Sequence, residues 1–266
     1  MTRRVEVAAL QIAAVPGEVE RNLARLAAVA REQAAGADLI VAPELVASGY
    51  DLAHLAANGR ALGESLDGPT VTAARTLAAE LRATVVLGLL ERERDVLYDT
   101  VVVVAPGGAV TPYRKTHLYP PERAHFGAGE RLVTVPTDAG EVAPMICFEH
   151  AFPEIATALA LAGAEILAIP SAVPYGYEYL LTLRTRARAQ DNQLFAVAAN
   201  LAGDTFCGGS LIVDPRGDVL AAAGTGDEAV RATIDLEAIA RERTREPALA
   251  LRRPELYGRA SVAPAE

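Results

Sequence analysis

Long apolar runs recur between helix-like segments along this chain. Residues 101–105 read VVVVA and residues 194–199 read LFAVAA. Runs without a polar residue at alternate positions are typical of strands that are covered on both faces. Helical patterns lie between such runs, over residues 20–36, 70–83, 152–164 and 179–192. This alternation predicts an α/β or α+β fold in which two layers of sheet are covered by helices.

Shorter strand patterns fill most of the remaining sequence. They cover residues 5–13, 38–44, 84–93, 97–106, 141–149, 165–172 and 194–200, with a hairpin over 208–224. A chain of 266 residues that is 51% apolar can bury one large core. Since no repeat and no linker divides it, we predict one domain over residues 1–240. The arginine-rich tail, 241–266, lacks the strand pattern, and we expect it to pack elsewhere, with a second subunit as one alternative.

Charge and cysteine content exclude several classes of function. The formal charge of −9 leaves no basic footprint for nucleic acid. No apolar run is long enough to cross a bilayer, and the N-terminus alternates like a strand rather than a signal peptide. Two cysteines make no disulfide framework, so we predict a cytoplasmic protein with reduced thiols.

Glu44 is the first of three reactive residues that stand where an apolar run gives way to a loop. In α/β sheets, sites gather at such strand ends. Glu44 follows the apolar residues 39–42 and Pro43. Burial there would raise the pKa of the carboxyl group and suit it to proton transfer near neutral pH. A solvent-facing glutamate at a strand end is the alternative.

Lys115 is the only lysine of the chain, whose other strongly basic residues are all arginine. A chain that uses arginine for surface charge has little reason to keep one lysine there. A compact ammonium group required at one point is a reason, because lysine and arginine are not interchangeable in such a place. A surface lysine is the alternative.

Cys147 ends a strand pattern, and a helix is predicted to begin at about Pro153. This is the layout of a nucleophile elbow, and a nearby helix N-terminus lowers the pKa of a thiol. We therefore expect a thiol that reacts quickly at neutral pH, with a buried, inert cysteine as the alternative. Cys207 lies in a glycine-rich loop and is interpreted as structural. Ser210 stands in GGS rather than in G-x-S-x-G, so we do not expect it to be a nucleophile.

No histidine spacing indicates a metal site, and we predict no metal and no other cofactor. His150 stands three residues after Cys147. A Cys–His pair is conceivable there, although substrate contact or simple packing is favoured.

Three segments together resemble the signature blocks of the nitrilase, or carbon–nitrogen hydrolase, superfamily. They are VAPELVASGYD around Glu44, YRKTHLYPPE around Lys115 and CFEHAFPE at Cys147. Their order and separation fit, and the resemblance extends to about residue 240. It implies a four-layer α-β-β-α sandwich and an enzyme of the amidase-like branch.

The resemblance also implies roles for the site residues. Glu44 would act as general base and acid, Lys115 as electrostatic stabiliser and Cys147 as the nucleophile that forms a thioester. Glu122 matches a second glutamate that orients the substrate amide and holds the lysine. The three residues that follow the nucleophile would support the substrate, through a backbone N–H that faces the oxyanion or through side-chain contacts. They are Phe148, Glu149 and His150.

The residues around Cys147 narrow the range of possible substrates. Several amidase branches read C-Y-D-x-R-F-P-E, and Ala151 stands here at the position of the arginine, which argues against dicarboxylic monoamides. A small primary amide, cut to acid and ammonia, is therefore favoured over a nitrile or an N-carbamoyl amide. Acids at Asp51, Glu149 or Glu178 would suit a cationic amide.

Two further expectations concern the rival class and the assembly. A non-catalytic binding or assembly relative would be expected to lose a member of the triad, and all three members are present.

Chains of this superfamily generally pair, so we predict a homodimer or a larger even-numbered assembly. The apolar residues of the tail, Leu249, Leu251, Leu256 and Tyr257, would lie near that interface.

Overall fold

Two six-stranded β-sheets lie face to face in the computed structural model, which describes residues 3–257. The first sheet has the order β12 (Glu228–Asp235), β1 (Arg4–Gln11), β2 (Leu39–Val41), β3 (Thr84–Glu93), β4 (Val96–Val104) and β5 (Val110–Arg114). The second has the order β11 (Val219–Ala222), β10 (Leu211–Val213), β9 (Phe195–Asn200), β8 (Ile166–Ser171), β7 (Gly140–Pro144) and β6 (Val135–Thr137).

Each sheet has a parallel centre and antiparallel flanks. Strands β1, β2 and β3 run parallel to one another, as do β7, β8 and β9. Both faces of these central strands are buried, which explains their continuous apolar sequences. The core between the sheets includes Val7, Val86, Ile166 and Val197, none of which has exposed surface.

Helices cover the outer face of each sheet. Helices α1 (Val19–Gln33) and α3 (Pro69–Leu81) pack on the first sheet, and α4 (Pro153–Leu161) and α5 (Glu178–Asn192) pack on the second. Three further helices are α2 (Leu52–Leu62), α6 (Glu237–Arg245) and α7 (Pro254–Tyr257). The predicted four-layer α-β-β-α sandwich is confirmed. No helix within residues 3–257 combines the length and the hydropathy needed to cross a bilayer.

Some elements differ from their sequence patterns. Helix α1 ends at Gln33 rather than near Gly36, because the backbone leaves the helical conformation at its C-cap, Ala34, which has a φ of −114°. Strand β12, which pairs antiparallel with β1, was not indicated by the sequence. Only Val230 and Ile234 of this edge strand are buried, so it lacks a continuous apolar run.

The predicted domain boundary at residue 240 falls inside α6. The Gln193 side chain donates to the Glu246 carbonyl at 2.5 Å, which ties the end of α6 to the end of α5. Leu249 packs against the core between the second sheet and its helices. The tail is thus attached to its own subunit as far as Leu249, and residues 258–266 lie outside the described part of the chain.

Candidate active site

Strand ends bring the three predicted residues to one place. Glu44 follows β2, Lys115 directly follows β5, and Cys147 follows β7 of the opposite sheet. The carboxyl ends of β2 and β7 lie at the same edge of the sandwich, where α/β sheets form their sites. Lys115 Nζ lies 2.5 Å from Glu44 Oε1, and the charges of both residues act on the Cys147 thiol.

The Lys115 ammonium lies among three carboxyl groups. Its Nζ donates to Glu44 Oε1 at 2.5 Å, to Glu122 Oε1 at 2.7 Å and to Asp99 Oδ2 at 3.2 Å. All four side chains have no exposed surface. Burial by itself lowers the pKa of Lys115, but the carboxylates outweigh it and raise that pKa well above its usual value. The lysine therefore stays charged, with its three N–H donors all directed at carboxyl groups.

We name the side chains of Glu44, Asp99, Lys115 and Glu122 the carboxylate cage. Oxygen atoms of its three acids lie within 4.8 Å of one another, a donor set that could hold a hard cation. The Lys115 ammonium takes that place, since it makes a hydrogen bond to each acid. Positive charge is thus supplied by the chain itself.

Glu122 joins the cage to the substrate-sized cavity in front of it. Its carboxylate accepts hydrogen bonds from the Tyr50 hydroxyl and the Tyr119 backbone N–H, both at 2.7 Å, in addition to that from Lys115. Glu122 also lines the cavity. It can therefore hold the lysine and face a substrate, the two roles that the resemblance implies.

Cys147 occupies a sharp turn between strand and helix. It begins a 3₁₀ turn, Cys147–Ala151, that leads into α4. Its φ of 42° lies in the left-handed region, which costs free energy for a residue with a Cβ atom. This is the backbone geometry of a nucleophile elbow, and it places the half-buried Cys147 on the cavity wall.

The expectation of a low thiol pKa at Cys147 is wrong. Burial raises the pKa of the thiol well above its usual value and the Glu44 carboxylate raises it further, while Lys115 only partly offsets them. The short 3₁₀ turn does not compensate for this loss of solvent. The thiol is therefore protonated in the resting enzyme, and a nucleophile requires a base that removes its proton.

The Glu149 carboxylate turns away from the cavity and binds the loops that carry the site. It is fully buried and does not contribute to the cavity lining, so the structure does not bring it to a substrate. Its oxygens accept from the backbone N–H groups of Ile146, Thr116 and His117 and from the hydroxyls of Tyr113 and Thr116. Glu149 thus connects the strained turn at Cys147 with the segment that follows Lys115.

Replacing Glu149 by alanine is expected to lower the free energy of unfolding by about 3 kcal/mol, because several buried donors lose their acceptor. Denaturant unfolding followed by circular dichroism measures the change. Glu130→Ala is the matched control, since Glu130 is exposed and accepts no hydrogen bond within residues 3–257. Equal stability of the two variants would contradict the bracing role of Glu149.

Phe148 and His150 both line the cavity. Burial lowers the pKa of His150 to about 3, helped by the nearby charges of Arg184, Arg188 and Lys115. The imidazole is therefore neutral near neutral pH. Its Nδ1 atom is buried and has no hydrogen-bond partner within the described residues. The structure thus supports a contact or packing role for His150 rather than a charged Cys–His pair.

The cavity has a volume of about 760 Å³ and is mostly apolar. Of the acids considered for a cationic substrate, only Asp51 lines it, and that carboxylate accepts a hydrogen bond from the His54 N–H at the start of α2. Glu178 is not part of the lining. Two arginines, Arg25 and Arg184, do belong to it.

Cys207 and Ser210 lie outside this cavity. The Cys207 side chain is 5% exposed and accepts a hydrogen bond from Asn200 Nδ2 at 3.3 Å. The Ser210 hydroxyl donates to Gln11 Oε1 and accepts from the Asn200 backbone N–H, both at 2.9 Å. These contacts give both residues a structural role.

Comparison with known proteins agrees with this geometry. The sequence model of the carbon–nitrogen hydrolases matches residues 6–244. The chain belongs to the carbon–nitrogen hydrolase family. It is 36% identical to an (R)-stereoselective amidase of a Pseudomonas species, over 88% of this chain and 85% of that protein. It is 33% identical to a nitrilase of Pyrococcus abyssi, over 90% of this chain and 93% of that one.

A solved structure shares the fold of this carbon–nitrogen hydrolase. Nit3 of Saccharomyces cerevisiae, a member of branch 10 of the nitrilase superfamily, superposes with a TM-score of 0.83 at 28% identity, covering 96% of this chain and 97% of that one. The predicted superfamily is confirmed. The protein is an enzyme of the amidase and nitrilase type that acts on non-peptide carbon–nitrogen bonds.

Proposed function

We propose that this carbon–nitrogen hydrolase is an amidase that converts a small primary amide to a carboxylic acid and ammonia through a thioester on Cys147. One observation carries the proposal: the cavity wall presents a thiol beside a buried carboxylate and a buried ammonium. Glu44 Oε1 accepts a hydrogen bond from Lys115, whereas Glu44 Oε2 has no hydrogen-bond partner within residues 3–257. A base with a free lone pair suits a thiol that is protonated at rest.

The first half of the reaction forms the thioester. Glu44 takes the thiol proton while Cys147 Sγ attacks the amide carbon, and the carbonyl π electrons move to oxygen. When the tetrahedral intermediate collapses, the C–N bond breaks and Glu44 returns the proton to the leaving amine. Ammonia leaves, and the acyl group stays on Sγ.

The oxyanion of that intermediate needs positive charge and a donor. Lys115 supplies the charge from within the carboxylate cage. Phe148 is the second residue of the 3₁₀ turn, where backbone N–H groups have no partner within the turn, so its N–H can donate to the oxyanion. Water then attacks the thioester, Glu44 accepts its proton, and the acid is released as the thiol is restored.

The apolar cavity favours amides with a neutral or aromatic body. Its walls include Leu52, Tyr119, Phe148 and Phe206, and Asp51 is engaged at a helix start. Two of the three acids that the sequence suggested for binding a cationic substrate, Glu149 and Glu178, do not line the cavity. A primary amide of modest size fits the volume of the cavity.

A substrate that carries a carboxylate, such as an N-carbamoyl amino acid, is the second candidate. Arg25 is occupied by an ion pair with Asp227 and a hydrogen bond to the Ala13 carbonyl. Arg184 is half-buried on the cavity wall and has no ion pair within residues 3–257. Its guanidinium could take the place of the arginine that is absent at position 151.

A panel of matched substrates tests the proposal by ammonia release. The panel pairs each primary amide with the nitrile and the N-carbamoyl compound of the same body, in neutral, cationic and anionic forms. We expect neutral amides to give the highest kcat/KM. A preference for anionic compounds that is lost in Arg184→Gln would favour the second candidate. Turnover of nitriles alone would contradict the amidase, and no turnover of any compound would favour a binding relative.

Assembly through the tail is also a proposal. Leu251, Leu256 and Tyr257 are 72%, 46% and 57% exposed, whereas Leu249 packs on its own subunit. We propose a homodimer or larger even-numbered assembly that covers the exposed three. Sedimentation of the full chain and of a chain ending at Ala250 tests this, and a full-length monomer at micromolar concentration would contradict it. The cytoplasmic location stays a prediction.

A further inference from the structure

Asp99 is the one member of the carboxylate cage that the proposed reaction does not use. It lies on β4 and has no exposed surface. Its Oδ2 accepts from Lys115 Nζ at 3.2 Å, and its backbone carbonyl accepts the Lys115 N–H at 2.9 Å. Asp99 therefore holds both ends of the lysine, the backbone and the ammonium.

The charges of the cage do not balance if every acid is ionised. Glu44, Glu122 and Asp99 would bring three negative charges against the single positive charge of Lys115, all without exposure to water. One oxygen atom of each acid lies within 4.8 Å of an oxygen atom of the other two. Carboxyl groups this close in a site without solvent cannot all stay ionised, so one of them retains a proton.

Hydrogen bonding decides which acid holds that proton. Glu122 accepts three hydrogen bonds at 2.7 Å, from Lys115, Tyr50 and Tyr119, and these favour its anion against the burial that raises its pKa. Glu44 has the shortest contact to the ammonium, 2.5 Å. The carboxyl group of Asp99 has only the longest contact, and its Oδ1 has no partner within the described residues. Asp99 is the least stabilised as an anion.

We propose that Asp99 is a positioning residue that works as a neutral carboxylic acid, filling the third acceptor site of the Lys115 ammonium without adding a negative charge beside Cys147. Burial raises the pKa of Asp99 well above its usual value; Lys115 opposes that rise, and the charges of Glu44 and Glu122 add to it. With Asp99 neutral, the cage carries a net charge of one rather than two negative units. A further anion would oppose ionisation of the thiol.

The protonation of Asp99 is measurable without any substrate. In the unfolded chain Asp99 ionises near its usual pKa, whereas in the folded protein it keeps its proton to higher pH. Folding then binds a proton, so the wild type loses stability as pH rises above about 5. In Asp99→Asn this contribution is absent. The unfolding equilibrium constant of the wild type, divided by that of D99N, should therefore rise about tenfold per pH unit.

Denaturant unfolding of both proteins between about pH 5 and 8 measures that ratio. Asp138→Asn, which removes an exposed aspartate, is the matched control. A ratio that stays constant or falls with pH would show that Asp99 is ionised in the folded protein and would overturn the proposal. The proposal is supported if the ratio of wild type to D99N rises with pH while the ratio of wild type to D138N stays constant.

Two further measurements keep the test decisive if D99N folds poorly. In wild-type protein labelled with carbon-13 at the aspartate carboxyl carbon, one signal should keep the chemical shift of a protonated acid at neutral pH. Ionised shifts for every aspartate would overturn the proposal.

The part that Asp99 has in turnover rests on the proposed function: D99N should keep kcat within about tenfold of wild type and leave its pH profile in place, since the net charge of the cage is unchanged. A larger loss with an altered profile contradicts that part alone.

Discussion

Replacing Cys147 by alanine is expected to reduce kcat by at least about 10⁴-fold while the protein stays folded. The alanine removes the only sulfur atom on the cavity wall within residues 3–257, so no thioester can form. Both residues carry a Cβ atom, so the left-handed φ of 42° is no harder for alanine than for cysteine. Ammonia release gives kcat, and circular dichroism reports the fold.

The second cysteine of the chain supplies the control. Cys207→Ala removes a thiol that is 5% exposed and lies outside the cavity, so it should keep most of the activity. Cys147→Ser should lose nearly as much as the alanine variant, because the site is arranged to deprotonate a thiol rather than a less acidic hydroxyl. Activity near the wild-type level in a clean Cys147→Ala preparation would refute the mechanism.

Lys115→Arg is expected to be nearly as damaging as Lys115→Ala, with a loss of about 10²- to 10³-fold in kcat. The positive charge survives in the arginine variant, but its position does not. The space among Glu44, Asp99 and Glu122 fits one ammonium nitrogen with contacts of 2.5–3.2 Å. A planar guanidinium is wider, and its five donors cannot meet three acids that surround a single point.

The neighbouring residue offers the matched control for this exchange. Arg114→Lys makes the reverse change at a partly exposed side chain, which pairs with Glu91 and Glu93 on the outside of the cage. We expect this variant to keep most of its kcat, even if its stability falls. If Lys115→Arg also keeps most of its kcat, the lysine is a generic charge and its rarity in the sequence has no bearing on catalysis.

The central strands and the positions of Glu44 and Cys147 at strand ends were predictable from the sequence for the same reason. Central strands such as β3 and β9 are buried on both faces, so they appear as apolar runs with clear ends, and Glu44 and Cys147 stand just beyond such ends. The edge strand β12 was missed because one-sided burial leaves a mixed pattern. Lys115 was found through its singularity in the chain rather than through its local pattern.

Properties that depend on three-dimensional surroundings were not predictable in the same way. Asp99 was missed, although an acid two residues before the apolar run of β4 is a signal in itself, since a charged group in a buried strand needs a partner. Glu149 was assigned to the substrate because its sequence position does not show that most of its donors come from β5 and the segment that follows it. The direction of the Cys147 pKa shift depends on burial, which a strand–turn–helix pattern does not reveal.

A covalent intermediate on Cys147 is the most direct test of the proposed mechanism. The enzyme is mixed with a slowly hydrolysed primary amide, quenched in acid, and analysed by intact mass and by peptide mapping. The mechanism predicts a mass increase equal to one acyl group, located on the peptide that contains Cys147 and absent from Cys147→Ala. An adduct on Cys207 or on a serine, or turnover of the amide with no adduct at any quench time under single-turnover conditions, would contradict it.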